Sequence, residues 1–300
     1  MSANTNIEWT DHTFNPWEGC QKAGPGCDNC YAETRNKRFG GGVAVNWGPG
    51  APRRRTSVAN WRKPIEWNKA HAAFFAEHGR RQRVFCASLA DVFDNAVDPQ
   101  WRIDLWDLIE ATPNLDWLLL TKRIGNALDM LPVRWAKRRL PPNIWMGATI
   151  VNQPERDRDL AKLLAVPASV HYLSMEPLLS DVVLDFPRGH DGRSLVDWVI
   201  VGGESGPGAR PAQLQWFRSI VQQCHTAGVP VLTKQLGRVI LDDGMSSPGQ
   251  HWPAGTVRNH LPRQNELDPA FYVQVKDRKG GEMAEWPEDL RVRQFPGAAA

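Results

Sequence analysis

Three hundred residues, 42% hydrophobic and 23% charged, describe a globular chain long enough for one large core, and exclude a disordered, collagen-like or disulfide-stapled protein. The longer apolar runs, Trp117–Leu120 and Trp198–Val201, end far short of the ~20 residues of a membrane-spanning helix. The net charge of +3 names no partner, and the opening Met-Ser-Ala-Asn-Thr-Asn has neither the basic flank nor the apolar stretch of a secretion signal, so a cytoplasmic chain with no membrane partner is expected.

Residues 1–40 carry three of the five cysteines, in Cys20-Gln-Lys-Ala-Gly-Pro-Gly-Cys27-Asp-Asn-Cys30. Thiolates bind iron or zinc, and three on one loop can reach a single centre. Gly19, Gly24, Pro25 and Gly26 give a backbone that wraps around a metal without side-chain crowding. Structural zinc takes four ligands, so His12 or a distant residue would have to complete it. Three cysteines with an open fourth position suit a [4Fe–4S] cluster whose unique iron accepts a small ligand; free thiols are the third option. Cys86 and Cys224 lie in apolar segments and read as small buried hydrophobes.

Residues 41–82 form a basic insertion. The wider stretch 31–83 holds twelve Lys and Arg against Glu33, Glu66 and Glu77, a local charge of +9 in a chain whose remainder is −6. Interleaved with Phe39, Trp47, Trp61 and Trp67, it has the makings of a surface that tracks phosphates and stacks bases. A solvated basic face is the plainer reading.

From 83 to 235 apolar strands alternate with helices. The strands are Arg83–Ala87, Trp117–Arg123, Asn143–Thr149, Val170–Glu176, Asp197–Gly203 and Gly228–Gln235, with room for one more ahead of the cysteines. Asp98 and Pro99 open a helix to Glu110 as N-cap and first position, and further helices fall near 155–165 and 212–227. Continuous apolar strands joined by helices give a parallel sheet covered on both faces, so the expected fold is α/β: a partial or complete (β/α) barrel in a single domain. Six of the tryptophans (Trp101, Trp106, Trp117, Trp145, Trp198 and Trp216) belong to its packing, while Trp9 and Trp17 flank the cysteine loop and would keep water from a cluster.

Several strands turn polar at their carboxyl ends, where parallel α/β folds bind ligands: Asp91 and Asp94, Lys122 and Arg123, Asn152, Glu176, Glu204 and Arg210, Lys234 and Gln235. Residues 236–300 lose the alternation and read as an irregular C-terminal extension. Ser246–Gly249 is a turn cluster, 279–296 packs back on the barrel, and the closing Gly-Ala-Ala-Ala is frayed.

The motifs Ile7-Glu-Trp-Thr-Asp-His-Thr-Phe-Asn-Pro-Trp-Glu-Gly-Cys20, Cys30-Tyr-Ala-Glu33, Leu173-Ser-Met-Glu-Pro-Leu-Leu179, Val201-Gly-Gly-Glu-Ser-Gly-Pro-Gly-Ala-Arg-Pro211, Lys234-Gln-Leu-Gly237 and Leu290-Arg-Val-Arg-Gln-Phe-Pro296 resemble a phage-associated family of three-cysteine proteins that looks like a branch of the radical S-adenosylmethionine enzymes. The cysteine spacing here is six residues and then two, where those enzymes usually have three and then two, and Asn29 stands at their usual aromatic position.

The resemblance implies a [4Fe–4S] cluster on Cys20, Cys27 and Cys30, with S-adenosyl-L-methionine on the open iron and an external electron donor for cleavage to a 5′-deoxyadenosyl radical. Such a site needs carboxylates for the methionine amine and ribose, for which Asp91, Asp94, Glu176 and Glu204 are the candidates, and cations for the carboxylate, from Lys122, Arg123, Arg210 and Lys234. Gly202 and Gly203 would let the backbone approach the cofactor, or make a plain turn. Cys86, at a strand end, is a candidate hydrogen donor or acceptor for a substrate radical. DNA, RNA or a nucleotide is the substrate class that the basic stretch and the phage association suggest, for modification or repair, with a separate partner protein as a further option. The competing expectations are a non-catalytic nucleic-acid-binding protein with a structural zinc or iron–sulfur site, and a non-radical use of the cluster.

Overall fold

The computed structural model describes residue 5 and residues 7–242, 253, 256–260 and 271–297. Its first half runs β1 (His12–Thr13), β2 (Trp17–Glu18), α1 (Tyr31–Phe39), β3 (Arg54–Arg55), α2 (Val58–Lys69), α3 (His71–His78), β4 (Gln82–Cys86), α4 (Pro99–Glu110) and β5 (Leu115–Thr121). Two four-residue helices follow, α5 (Ala127–Met130) and α6 (Val133–Ala136), then β6 (Ile144–Thr149), α7 (Gln153–Ala165), β7 (Val170–Met175) and β8 (Trp198–Gly202). The remainder is β9 (Ala212–Gln213), α8 (Leu214–Ala227), β10 (Val231–Gln235), β11 (Ile240–Asp242), β12 (Val257–His260) and β13 (Phe271–Gln274).

Seven strands form one sheet in the order β1-β4-β5-β6-β7-β8-β10, the α/β topology of a partial (β/α) barrel. The strands follow chain order, with α4, α7 and α8 among the crossovers that parallel neighbours require. Every strand read from the sequence between 83 and 235 is present, as is a short one ahead of the cysteines. Both faces of such a sheet are covered, which is why β4, Gln-Arg-Val-Phe-Cys, is buried along its whole length. Contacts divide the chain into two compact units, residues up to 148 with 161–171, and residues 149–160 with 172–297.

In the first unit β4 pairs with β1, His12 opposite Val84, and with β5, Gln82 opposite Leu115 through Cys86 opposite Leu119. Trp117 is fully buried, meets Phe14 edge-on and donates from Nε1 to Thr112 Oγ1 at 3.1 Å. Burial of an indole this size is worth roughly 5 kcal/mol by area, an upper bound set by the extended-chain reference. Asp98 caps α4 by accepting from the Gln100 amide at 2.8 Å, with Pro99 at the first helical position as expected. Arg102 on α4 is buried because its guanidinium serves the carbonyls of Val92 and Asp94, at 3.0 and 2.9 Å.

In the second unit β8 lies between β7 and β10. Tyr172 and Trp198 fill its core, and Trp198 Nε1 donates to Gln294 O at 2.9 Å. The closing segment does pack back: Thr233 N donates to Val292 O and Gln294 N to Val231 O, both at 2.9 Å, so the outer edge of β10 has partners. A four-stranded sheet of order β12-β13-β11-β9 draws three strands from the extension read as irregular. Those strands are three or four residues long, too short for alternation to show in the sequence. The turn cluster Ser246–Gly249 and the closing Ala298–Ala300 lie outside the described residues.

Trp106, Trp117, Trp145 and Trp198 are core residues, whereas Trp101 and Trp216 are half-buried. Cys86 and Cys224 are fully buried, and burial pushes both thiols up, Cys224 to about 12. Among the described residues no helix is long and apolar enough to cross a membrane.

Candidate metal centre and polar clusters

In the first unit the loop after β1 is fastened beside the carboxyl end of β4. Gly19 has φ +110, and a Cβ there would meet Asn46 O at 2.5 Å, so the position requires glycine. Its amide donates to Leu89 O at 3.1 Å, and Cys20 bridges Trp47. Asn15 accepts from the Leu89 amide at 2.7 Å and donates to Ser88 Oγ at 3.0 Å, while the Tyr31 hydroxyl donates to Ser88 O at 2.5 Å. Cys30 occupies the N-cap position of α1.

Burial pushes the Cys20 thiol up to about 12, the nearby Asp91 carboxylate adds to the rise, and Arg123 opposes it. Burial also raises Cys30, against the amides of Glu33 and Ala32 and the charge of Lys122, which favour its thiolate. Cys27 is buried and accepts from the Ala23 amide at 3.5 Å. Among the described residues no group of three or more His, Cys, Asp or Glu is gathered to hold a metal. The donor set still has the chemistry of an iron–sulfur site: three soft ligands within eleven residues, with cations on hand to offset thiolate charge. His12, the residue named for completing a zinc site, has Nε2 2.6 Å from Gln82 Oε1 and its ring stacked on Trp67 at 4.1 Å.

The carboxyl ends of β4 and β5 bring Asp91, Asp94, Lys122 and Arg123 to this loop. Asp91 accepts from Thr121 Oγ1 at 2.7 Å and from the amides of Phe93 and Lys122 at 3.0 and 3.1 Å. It also pairs with Arg123 at 3.1 Å. Asp94 is wholly buried and pairs with Arg53 Nε at 2.7 Å, and its other oxygen accepts from the Ala96 amide at 3.1 Å. Both carboxylates therefore hold the loop's surroundings in place. Arg53, Arg102, Asn15 and Tyr31 were not marked as site residues by the sequence, since the contacts that tie them to this region reach across 8 to 74 residues.

The second unit gathers the other candidates. Lys234 Nζ donates to Glu176 Oε1 at 2.5 Å, with both side chains about a quarter exposed. A Cβ on Gly202 would stand 3.3 Å from Glu176 Cγ and 3.5 Å from Gln235 Cγ, so glycine leaves room for those two side chains. Gly203 has a different reason: a Cβ there would lie 2.1 Å from Leu236 O, in the path of the neighbouring backbone. Glu204 is gripped by Arg210, whose Nη2 donates to Oε1 at 2.7 Å and whose amide and Nε reach Oε2 at 2.8 and 3.0 Å. That clasp shapes the turn after β8.

The basic stretch is largely spoken for within its own unit. At least eight of its twelve cations (Arg35, Lys37, Arg53, Arg54, Arg55, Lys69, Arg80 and Arg81) form ion pairs with carboxylates. Trp61 lies under the Arg55 guanidinium at 4.3 Å and donates to Pro16 O at 3.2 Å, and Trp67 stacks on His12. Trp47 is half-buried at its bridge to Cys20.

A family described as "Protein of unknown function (DUF5131)" matches residues 4–285. No curated protein matches the chain. Two solved structures, both mutants of spore photoproduct lyase, are remotely similar. One has a TM-score of 0.41 and 11% identity, over 92% of this chain and 72% of that one. The other has a TM-score of 0.28 and 10% identity, over 89% of this chain and 90% of that one.

Proposed function

The chain belongs to that family of unknown function, and within it we propose that this member is an iron–sulfur enzyme of the radical S-adenosylmethionine type, with Cys20, Cys27 and Cys30 as cluster ligands. The observation that carries the reading is the cysteine loop: three thiols within eleven residues, fastened beside the carboxyl ends of β4 and β5, with Arg123 donating to Cys20. Thiolates add negative charge that burial opposes, and Arg123, Lys122 and the amides of Ala32 and Glu33 offset it. A [4Fe–4S] cluster, when bound, supplies the electron that cleaves the sulfonium of S-adenosylmethionine, and an external donor replenishes it. Asp91 and Asp94 act through the arginines they hold.

Glu176 and Lys234 set a carboxylate beside an ammonium, the complement of an amino acid's own two charges. Within their own unit they would suit a zwitterionic ligand such as a free amino acid, with Gly203 and Glu204 shaping the turn that follows.

Anaerobic reconstitution tests the reading. The protein should turn brown with about four iron and four sulfide per chain and lose both in Cys20→Ala, Cys27→Ala and Cys30→Ala. The reduced holoprotein should then convert S-adenosylmethionine to 5′-deoxyadenosine. A colourless protein with one zinc per chain would overturn the cluster assignment, and an intact cluster that yields no 5′-deoxyadenosine would overturn the enzyme assignment.

A further inference from the structure

We infer that Arg123 is a positioning residue that holds Cys20 for the cluster and sets how easily the bound cluster is reduced; this rests on the iron–sulfur reading above. The Arg123 side chain is 9% exposed, and three groups share its guanidinium. Nη1 donates to Cys20 Sγ at 3.5 Å and to Asp91 Oδ2 at 3.1 Å, while Nη2 donates to Gln21 O at 2.6 Å. The fork therefore grips both the sulfur and the next carbonyl of the loop, a geometry that a planar guanidinium can make and a single ammonium cannot.

Asp91 fixes the fork in turn. Its carboxylate is 7% exposed and already accepts from Thr121 Oγ1 and from the amides of Phe93 and Lys122, so it has little freedom to swing away. Arg123 is thus locked from behind and presents a fixed positive charge to one ligand sulfur.

Two consequences follow from elementary electrostatics. A hydrogen bond and a positive charge at a ligand sulfur favour the more negative, reduced state of a thiolate-bound cluster, so Arg123 raises the midpoint potential. The bond to the Gln21 carbonyl restrains the loop whether or not metal is present.

The test compares Arg123→Met, which removes charge and donors, with Arg123→Lys, which keeps charge but loses the fork. In metal-free protein, amide hydrogen exchange across residues 19–24 should rise at least fivefold in both. In reconstituted protein, Arg123→Met should shift the reduction equilibrium about tenfold toward the oxidised form, ~59 mV for one electron, whereas Arg123→Lys stays within threefold of wild type. Where Arg123→Met does not fold, Arg123→Gln takes its place, keeping a donor without charge.

Unchanged exchange in residues 19–24 would overturn the positioning role. Equal potentials in wild type and Arg123→Met would overturn the electronic role. Failure of wild type to take up iron would instead overturn the cluster reading, and the exchange measurement would still decide whether Arg123 holds the loop.

Discussion

Replacing Asp94 by Asn leaves the Arg53 guanidinium buried without its counter-charge. The two side chains are 0% and 1% exposed and meet at 2.7 Å, so water cannot take the carboxylate's place. The amide keeps the shape but only one acceptor oxygen, so besides losing the charge it turns its NH2 toward one of two donors, Arg53 Nε or the Ala96 amide. Two unit charges about 4 Å apart at an effective dielectric of 20 attract by roughly 4 kcal/mol. Removing one partner of a buried pair costs about 3–5 kcal/mol. Two-unit chains need not unfold in one step, so the transition that contains residues 1–148 is the one to follow. Asp94→Asn should lower its midpoint by roughly 6–20 °C, at about 2–4 °C per kcal/mol for a body this size. Arg53→Met should cost a similar amount, and the Arg53→Met/Asp94→Leu double variant should recover at least half of the loss, because it leaves no charge stranded. Calorimetry with circular dichroism measures all three. Asp94→Asn within about 1 kcal/mol of wild type, or a double variant no better than either single one, would refute the reasoning.

Further predictions concern pH, backbone space and salt. Burial raises Asp116 to about 6 despite Arg81, Arg83 and Arg80. Its folded value therefore exceeds its unfolded value, so its contribution is fully present below about pH 4 and is lost as pH rises through 6. Asp116→Asn should accordingly be more stable than wild type at pH 8, by on the order of 1–3 kcal/mol, with the gap closing toward pH 4; chemical denaturation at pH 4.5 and 8 checks it, and an equal gap at both would contradict the burial argument. Gly203→Ala puts a Cβ 2.1 Å from Leu236 O and should cost about 3 kcal/mol or more, while Gly202→Ala, 3.3 Å from Glu176 Cγ, should cost less than 1.5 kcal/mol. Equal losses in thermal melts would count against the distinction drawn between the two glycines. With at least eight of twelve cations in the 31–83 stretch internally paired, binding to short DNA should show a log–log salt slope no steeper than about −4. A slope near −10 in fluorescence anisotropy would mean that those pairs open on DNA.

The barrel strands were legible because each is an apolar run bounded by turn residues, and a parallel sheet covered on both faces selects for that pattern. Asp98-Pro99 marked the start of α4 for an equally local reason, since a cap and its helix are neighbours in sequence. The three cysteines and the glycines around them were visible too, as a loop composition. By contrast, β11–β13 offered three or four residues each, below the length at which a period of two stands out.

Composition likewise showed where charge accumulates but not where it goes. Arg53 looks in sequence like one more phosphate contact between its neighbours Pro52 and Arg54, and the fold buries it against Asp94, 41 residues away. Trp61 and Trp67 look like stacking platforms, and they already have partners in Arg55 and His12. Asp91, Asp94 and Glu204 were expected as carboxylates of one kind with Glu176. Their packing separates them, because three are closed around arginines of their own unit and Glu176 stands with Lys234, each partly open to water. What the sequence determined alone was what neighbouring residues can encode: helices, strands, caps and a loop rich in cysteine and glycine. Which carboxylate neutralises which cation depends on contacts between residues far apart in the chain, and the tertiary structure decided that because burial makes an unpaired charge too costly to leave.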